Sequence, residues 1–306
     1  MYLPPKGAVC MMKLIYGLMF LIAINTNICN ADTANNLDSD ISNLMKIVRN
    51  STSLTEVESV ILNGAEINQR DKNGMTALMY AASQNQSPEV IDILIKNGAS
   101  IDARTKTGQT ALMLAAGGNP EPKIAEALIK NGANINAKNK YGWTPIMYAA
   151  LSNTNPQVVQ TLIDYKADIN AHNKSGSNAL ILAALNNKNS KNIEILVKNG
   201  ADINTIDANG QTALIRAAKF NKNKDTIEAI LKNGGKLDIK DKKGMTALMY
   251  AASLNSNPEV IEVLLSYGAN VKDTDVNGKN AVDHAQNNPA IYESSVYWKM
   301  NDLLYN

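Results

Sequence analysis

Cysteine is almost absent. The 306 residues hold two, Cys10 and Cys29, both near the N-terminus. Beyond residue 29 this excludes disulfide staples, thiolate nucleophiles and thiolate metal sites. Histidine is equally scarce, with only His172 and His284. Aromatic residues make up 5% against 45% apolar residues overall, so the core has to be aliphatic. Charge of one sign is missing too. The net charge is +2, and setting aside Lys6 and Lys13 leaves equal numbers of basic and acidic residues. Nucleic-acid binders usually show a basic excess on one face. None is visible in the totals, so no nucleic-acid partner is expected.

No long hydrophobic run exists either. The longest stretch, residues 14–24 (LIYGLMFLIAI), follows Lys13 and spans eleven residues. A transmembrane helix needs about 20. The length suits the core of a secretory signal, and Cys29-Asn30-Ala31 offers a small-x-small cleavage site. Residues 1–31 are therefore expected to be a signal peptide cleaved after Ala31, with translation starting at Met1, Met11 or Met12. The mature chain, free of cysteine and of any membrane span, is expected in the periplasm or outside the cell. A lipid anchor on Cys29 is the lesser alternative, because Thr26-Asn27-Ile28 lacks the small residue usual before a lipidated cysteine. The Asn-, Lys- and Ile-rich composition suits an AT-rich bacterial genome.

What is present is a repeat. Gly74, Gly108, Gly142, Gly176, Gly210, Gly244 and Gly278 stand 34 residues apart. Two residues after each comes Thr76, Thr110, Thr144, Asn178, Thr212, Thr246 or Asn280. A small apolar pattern follows: residues 71–82 read DKNGMTALMYAA, and residues 241–252 differ from them at one position. The glycine fits a tight turn needing positive φ. The Thr or Asn caps a helix by accepting a backbone N–H. Leu78, Met79, Ala81 and Ala82 give that helix a small-residue face. A polar turn leads to a second helix with proline at its first position, as at Ser87-Pro88, Asn155-Pro156 and Asn257-Pro258. Its stripe is Val90, Ile91, Ile93 and Leu94. It ends at Asn97-Gly98, a left-handed cap repeated at Gly132, Gly200, Gly234 and Gly268. Residues 99–103 read as an extended connection to the next turn.

Turn, helix, turn, helix and a closing Gly200-Ala201-Asp202-Ile203-Asn204 resemble the ankyrin repeat over residues 40–290. The resemblance implies an all-α solenoid of antiparallel helix pairs with hairpin-like fingers on one side. Three departures stand out. The period is 34 rather than 33, the extra residue falling between the helices. The family histidine, which usually bonds between repeats, is replaced by Met79, Met113, Met147, Ile181, Ile215 and Met249, so packing must substitute. Lys166 stands where a capping glycine belongs. Either it takes a strained left-handed conformation or that helix ends differently, and a local weak point is expected there.

Residues 32–70 read as a linker and an N-terminal capping repeat, 71–274 as six full repeats, and 275–306 as a partial repeat and a C-terminal capping helix. In that helix Tyr292, Tyr297, Trp298 and Tyr305 form either the core of the cap or a partner-facing patch.

Function should lie on a surface. The two histidines sit in different repeats, too far apart for a triad or metal site. Asp71, Asp207, Asp241 and Asp275 open the fingers as turn residues. No cofactor or catalysis is expected, and the chain is expected to be a monomer. The resemblance implies protein binding on the concave face of fingers and first helices. Matching positions are Trp143 and Met245 in the fingers, then Tyr80, Tyr148, Arg216 and Tyr250, then Leu151 and Phe220. Trp143 leads as anchor, followed by Tyr148, Arg216 and Phe220. For the tyrosines the alternative is packing between repeats with the hydroxyl exposed. A secreted effector engaging host proteins and an accessory enzyme subunit are the rival functions.

Overall fold

The computed structural model describes residues 42–186 and 190–306. The expected signal at residues 1–31, with both cysteines, lies outside the described residues. Among those described, every regular element is a helix. Two open the stack, α1 (Asn43–Asn50) and α2 (Leu54–Leu62). Six pairs follow, an inner helix and then an outer one: α3 (Ala77–Gln84) with α4 (Pro88–Lys96), α5 (Ala111–Gly118) with α6 (Pro122–Lys130), and α7 (Pro145–Ser152) with α8 (Pro156–Asp164). The run continues with α9 (Ala179–Asn186) and α10 (Lys191–Lys198), α11 (Ala213–Phe220) and α12 (Lys224–Lys232), and α13 (Ala247–Leu254) and α14 (Pro258–Ser266). A short helix, α15 (Ala281–Ala285), and a longer capping helix, α16 (Ser295–Tyr305), close it. Inner helices pack on neighbouring inner helices and outer on outer, so each repeat touches chiefly the copies beside it.

Each helix starts where its cap dictates. The Thr76 hydroxyl accepts the Met79 N–H at 3.4 Å, and Thr110, Thr212, Thr246 and Asn178 do the same in their copies. Thr144 differs. Its hydroxyl is buried without a partner, and its carbonyl accepts the Met147 N–H at 3.1 Å. Fully buried alanines at Ala81, Ala82, Ala115, Ala116, Ala149 and Ala150 let inner helices approach closely. Met79, Met113, Met147, Ile181, Ile215 and Met249 are all buried, so apolar packing does fill the position of the family histidine.

The hydrogen bonds between repeats come from asparagine. Asn85, Asn119, Asn153, Asn221, Asn255 and Asn288 occupy the turn between inner and outer helices, and all are buried. Asn153 Nδ2 donates to the Ala116 and Asn119 carbonyls of the preceding copy, each at 2.8 Å. Its Oδ1 accepts the Asn155 N–H at 2.9 Å. Asn255 repeats this with Ala218, Asn221 and Asn257 at 2.9, 3.0 and 2.9 Å. The seam begins with Asn85 on the Val48 and Ser51 carbonyls beside α1 and ends with Asn288 on Ala252 and Asn255. The register residue of the fourth copy, Asn187, lies outside the described residues. The polar turn read from sequence is thus a buried structural line.

Two details refine the outer helices and the loops after them. Lys166 is left-handed, with φ at 69°. Its N–H donates to Ile163 at 2.8 Å and that of Ala167 to Leu162 at 2.9 Å, the same pair of bonds that Gly98 and Ala99 make. Of the two alternatives the strained one is realised, at a cost of about 1 kcal/mol with the cap intact. The segment 99–103 is not extended throughout: the Ala103 N–H donates to the Ser100 carbonyl at 3.2 Å. That turn recurs at Ala137 onto Asn134 and Thr205 onto Asp202. The small polar residues there prefer to close on themselves.

Candidate interaction face

The finger of each copy is built on its first residue: Asp71, Thr105, Asn139, Asn173, Asp207, Asp241 or Asp275. One side-chain oxygen organises the finger backbone. Asp241 Oδ1 accepts the N–H of Lys243 at 2.8 Å and of Met245 at 3.1 Å, and Asn139 Oδ1 accepts those of Tyr141 and Trp143. Successive fingers are then stitched by backbone. The Lys106 N–H donates to Asn73, that of Lys174 to Tyr141, and that of Val276 to Lys243, at 2.9 to 3.1 Å. The approach is close. At Gly176, with φ at +76°, an added Cβ would lie 2.6 Å from the Ala208 nitrogen, so glycine is required on both grounds.

The remaining polar atom of the finger residue reaches a side chain nine positions later, on the inner helix. The Tyr80 hydroxyl donates to Asp71 Oδ2 at 2.9 Å, and the Tyr250 hydroxyl to Asp241 Oδ2 at 2.7 Å. Asn139 Nδ2 donates to the Tyr148 hydroxyl at 2.8 Å. Arg216 donates from two nitrogens to Asp207 Oδ2, the closer at 2.8 Å, and His284 Nε2 lies 3.1 Å from Asp275 Oδ2. Leucines take this place in two copies, Leu114 and Leu182, and the finger residues there are uncharged Thr105 and Asn173. The staple ties finger to helix within one repeat.

The eight residues singled out from sequence divide accordingly. Tyr148, Tyr250, Leu151 and Met245 are buried. They are support beneath the face, and the tyrosine hydroxyls are bonded rather than exposed. Tyr80 and Arg216 are half-buried in staples. Trp143 is half-buried, its ring 5.3 Å from that of Tyr148 and packed on Met113 and Ala137. Phe220 remains exposed at 39%. The structure also exposes Tyr141, Ile206, Leu254 and Val276 along the fingers and inner-helix ends. Leu254 and Val276 line an open groove of about 510 Å³ with Lys243, Tyr250 and His284. At the C-terminal cap Tyr297 is buried as core, whereas Tyr292, Trp298 and Tyr305 are exposed.

The staples set the electrostatics. Burial pushes the Tyr148 hydroxyl up to about 12, although hydrogen bonds from Gln109 and Asn139 oppose this. Burial, with Asp241 as acceptor, raises the Tyr250 hydroxyl further. At Asp241 burial pushes the carboxyl up, but bonds from Gln211, Tyr250 and the Lys243 and Met245 amides together outweigh it and hold the group below its ordinary value. Lys219 lies over the Tyr250 ring at 4.6 Å and the Phe220 ring at 4.9 Å. Burial first, then repulsion from Arg216 and Lys243, lowers its ammonium to about 8.

A family model for ankyrin repeats (3 copies) matches residues 44–139, 117–207, 193–275 and 214–291. The chain belongs to the ankyrin-repeat family. No curated protein matches it. Ankyrin repeats generally mediate protein–protein interaction.

Charge on the fingers and inner helices departs from the expectation drawn from totals. The inner helices α3 to α13 contain no Asp or Glu, and the finger carboxylates of Asp71, Asp207, Asp241 and Asp275 are turned onto amides and staple partners. Fingers and inner helices hold more Lys and Arg than Asp and Glu, an excess that the chain totals hide. No group of three or more His, Cys, Asp or Glu residues among the described residues could hold a metal ion. No helix among them is long and apolar enough to cross a membrane.

Proposed function

We propose that this chain is a binding scaffold that docks a partner protein across its fingers and inner helices, the concave face of the family, with no chemistry of its own. One observation carries the reading. Tyr141, Ile206 and Val276 in the backbone-stitched fingers, and Phe220 and Leu254 at the ends of inner helices α11 and α13, are exposed large apolar residues. Apolar side chains grouped on a rigid surface mark interaction sites. Ordering cost on binding is low, because finger, staple and inner helix already hold each other. Trp143, wedged on Tyr148 beside exposed Tyr141, is the anchor we favour at the centre of the row.

We further propose that the protein acts outside the cytoplasm, in the periplasm or beyond the cell, on the strength of the apolar run at 14–24 and the small-x-small site ending at Ala31. A secreted effector differs from this only in that its partner belongs to a host. The test is crosslinked capture from the native secretory compartment, comparing the wild type with a Trp143→Ala, Phe220→Ala double variant. The expected result is a defined partner that the folded variant no longer holds. Equal capture by both proteins would move the site off this face.

A further inference from the structure

Lysine and arginine outnumber carboxylates on the fingers, whereas the outer helices balance theirs locally, as in Glu126–Lys130 and Glu228–Lys232. Each finger carries two positions flanking its first residue. The position before it holds Arg70, Arg104, Lys138 and Lys240 in four of the copies. These cations are partly committed to the stack: Arg70 donates to the Arg104 carbonyl at 2.6 Å, Arg104 to the Lys138 carbonyl at 2.8 Å, and Lys240 to the Thr274 carbonyl at 3.0 Å. The position after it holds Lys72 in the first finger and, in later ones, the four exposed lysines Lys106, Lys140, Lys174 and Lys242. Their backbone N–H groups are used in stitching the fingers. Among the described residues, no carboxylate lies within salt-bridge distance of these four ammonium groups. The finger aspartates face inward and the inner helices α3 to α13 have no carboxylate, whereas Asp102, Asp168, Asp202 and Asp238 stay exposed in the loops that lead into the fingers. Glu89, Glu126, Glu228 and Glu259 sit instead on the outer helices.

We infer that the finger edge receives an extended, acidic segment of a partner protein, with a carboxylate at about every third residue and apolar side chains between. This rests on the reading of the finger face as the interaction surface. Sign comes from the uncompensated lysine row. Spacing comes from geometry. Packed helices lie about 8–10 Å apart, so successive fingertip lysines repeat at about that distance. An extended chain of the polyproline II type rises about 3.1 Å per residue with three residues per turn, so every third side chain lies on one face and three residues span one finger. Duplex DNA, with one charge per ~1.7 Å of axis, matches this sparse row poorly. The apolar component comes from Tyr141, Ile206 and Val276, exposed at the fingertips beside the lysine positions. Lys106, Lys140 and Lys174 are consecutive, whereas Ala208 interrupts the row before Lys242. The N-terminal half of the edge therefore sets the register.

The test uses the full chain and a labelled peptide of about 15 residues with Glu at every third position and Val or Ser between. Its controls are a peptide of the same composition with the glutamates contiguous, one with Lys for Glu, and a DNA duplex. The spaced acidic peptide should bind best, more weakly as salt rises. A Lys106→Glu, Lys140→Glu, Lys174→Glu variant, shown folded by circular dichroism, should lose on the order of tenfold or more. Failure of the spaced peptide to bind, indifference to the three reversals, or tighter binding of the contiguous peptide or DNA would each overturn the inference. If a captured native partner depends on Trp143 and Phe220 but ignores the lysine reversals, the scaffold reading stands and the acidic segment does not. If capture ignores both sets, the face itself is wrong.

Discussion

The third and sixth repeats share a layout and differ in how they fill it. Tyr148 and Tyr250 occupy the same register position, and each hydroxyl receives the side-chain amide of a glutamine from the preceding finger, Gln109 at 3.2 Å and Gln211 at 3.1 Å. In the third repeat the finger residue is neutral Asn139, Trp143 covers the ring at 5.3 Å, and Gly117 lies beneath. A Cβ on Gly117 would approach Tyr148 Cβ to 3.3 Å, leaving little room for a longer side chain. In the sixth repeat the equivalents are Asp241, Met245 and Lys219, so the tyrosine lies between a carboxylate at its hydroxyl and an ammonium over its ring. One scaffold position thus accepts an apolar, neutral filling and a charged one. Only the charged one gives pH a grip on the stack, and it does so at the end of the face where the open groove lies.

The comparison assumes a common skeleton, and the largest expected effect tests that. Asn153→Ala and Asn255→Ala each leave two buried carbonyls of the preceding copy unbonded. Each change should cost about 3 kcal/mol, since every orphaned buried polar group costs about 1–3. The two losses, measured by urea unfolding, should agree. If either variant loses less than about 0.5 kcal/mol, the asparagine seam is not what joins the repeats.

That seam shows where sequence reading stopped short. The helix pairs, caps and turn glycines were legible because each has a local signal at fixed spacing. Lys166 was legible as an anomaly for the same reason. From Asn85 to Asn255 the asparagines recur every 34 residues as plainly as the glycines do, yet a polar residue in a turn reads as solvated until a neighbouring copy is placed over it. The staples were hidden differently. Tyr80, Tyr148, Arg216 and Tyr250 look like interface anchors taken singly. Compared across copies, a polar residue at that place accompanies Asp or Asn nine positions earlier, whereas Leu114 and Leu182 follow Thr105 and Asn173. Asn173 breaks strict pairing, so the pattern would have suggested the staple without proving it. Net charge misled because summation erases which helix a residue lies on.

The second expected effect separates the two repeats directly. Asp241→Asn keeps the shape of the site but removes a charged acceptor of the Tyr250 and Gln211 bonds. The loss should be about 1–2 kcal/mol at pH 7. The carboxyl is held below its ordinary value of 3.8 in the folded chain, so its stabilising contribution is present above that value. It disappears as pH falls through the folded value. The gap between wild type and variant should therefore narrow toward pH 3. Tyr148, whose partners are amides, should show no such convergence on Asn139→Ala. A gap at Asp241 that stays constant down to pH 3 would mean the carboxylate is not the operative acceptor.

The smallest expected effect lies on the alkaline side and isolates Lys219. Its ammonium titrates at about 8 in the folded chain against an ordinary 10.5, because burial disfavours the charged form. Between those values the unfolded chain binds more protons than the folded one, so stability should rise with pH. The upper limit of the scan matters. The hydroxyls of Tyr148 and Tyr250, raised by burial, favour the folded state less as pH climbs past 10, and would mask the trend. From pH 7 to about 9.5 the wild-type melting temperature should climb by a few degrees relative to Lys219→Met, which keeps the stem of the side chain over Tyr250 without its charge. Parallel curves for the two proteins would show that Lys219 keeps its proton and reaches water. The charged filling of the sixth repeat would then be an exposed cation beside a ring, not a buried one.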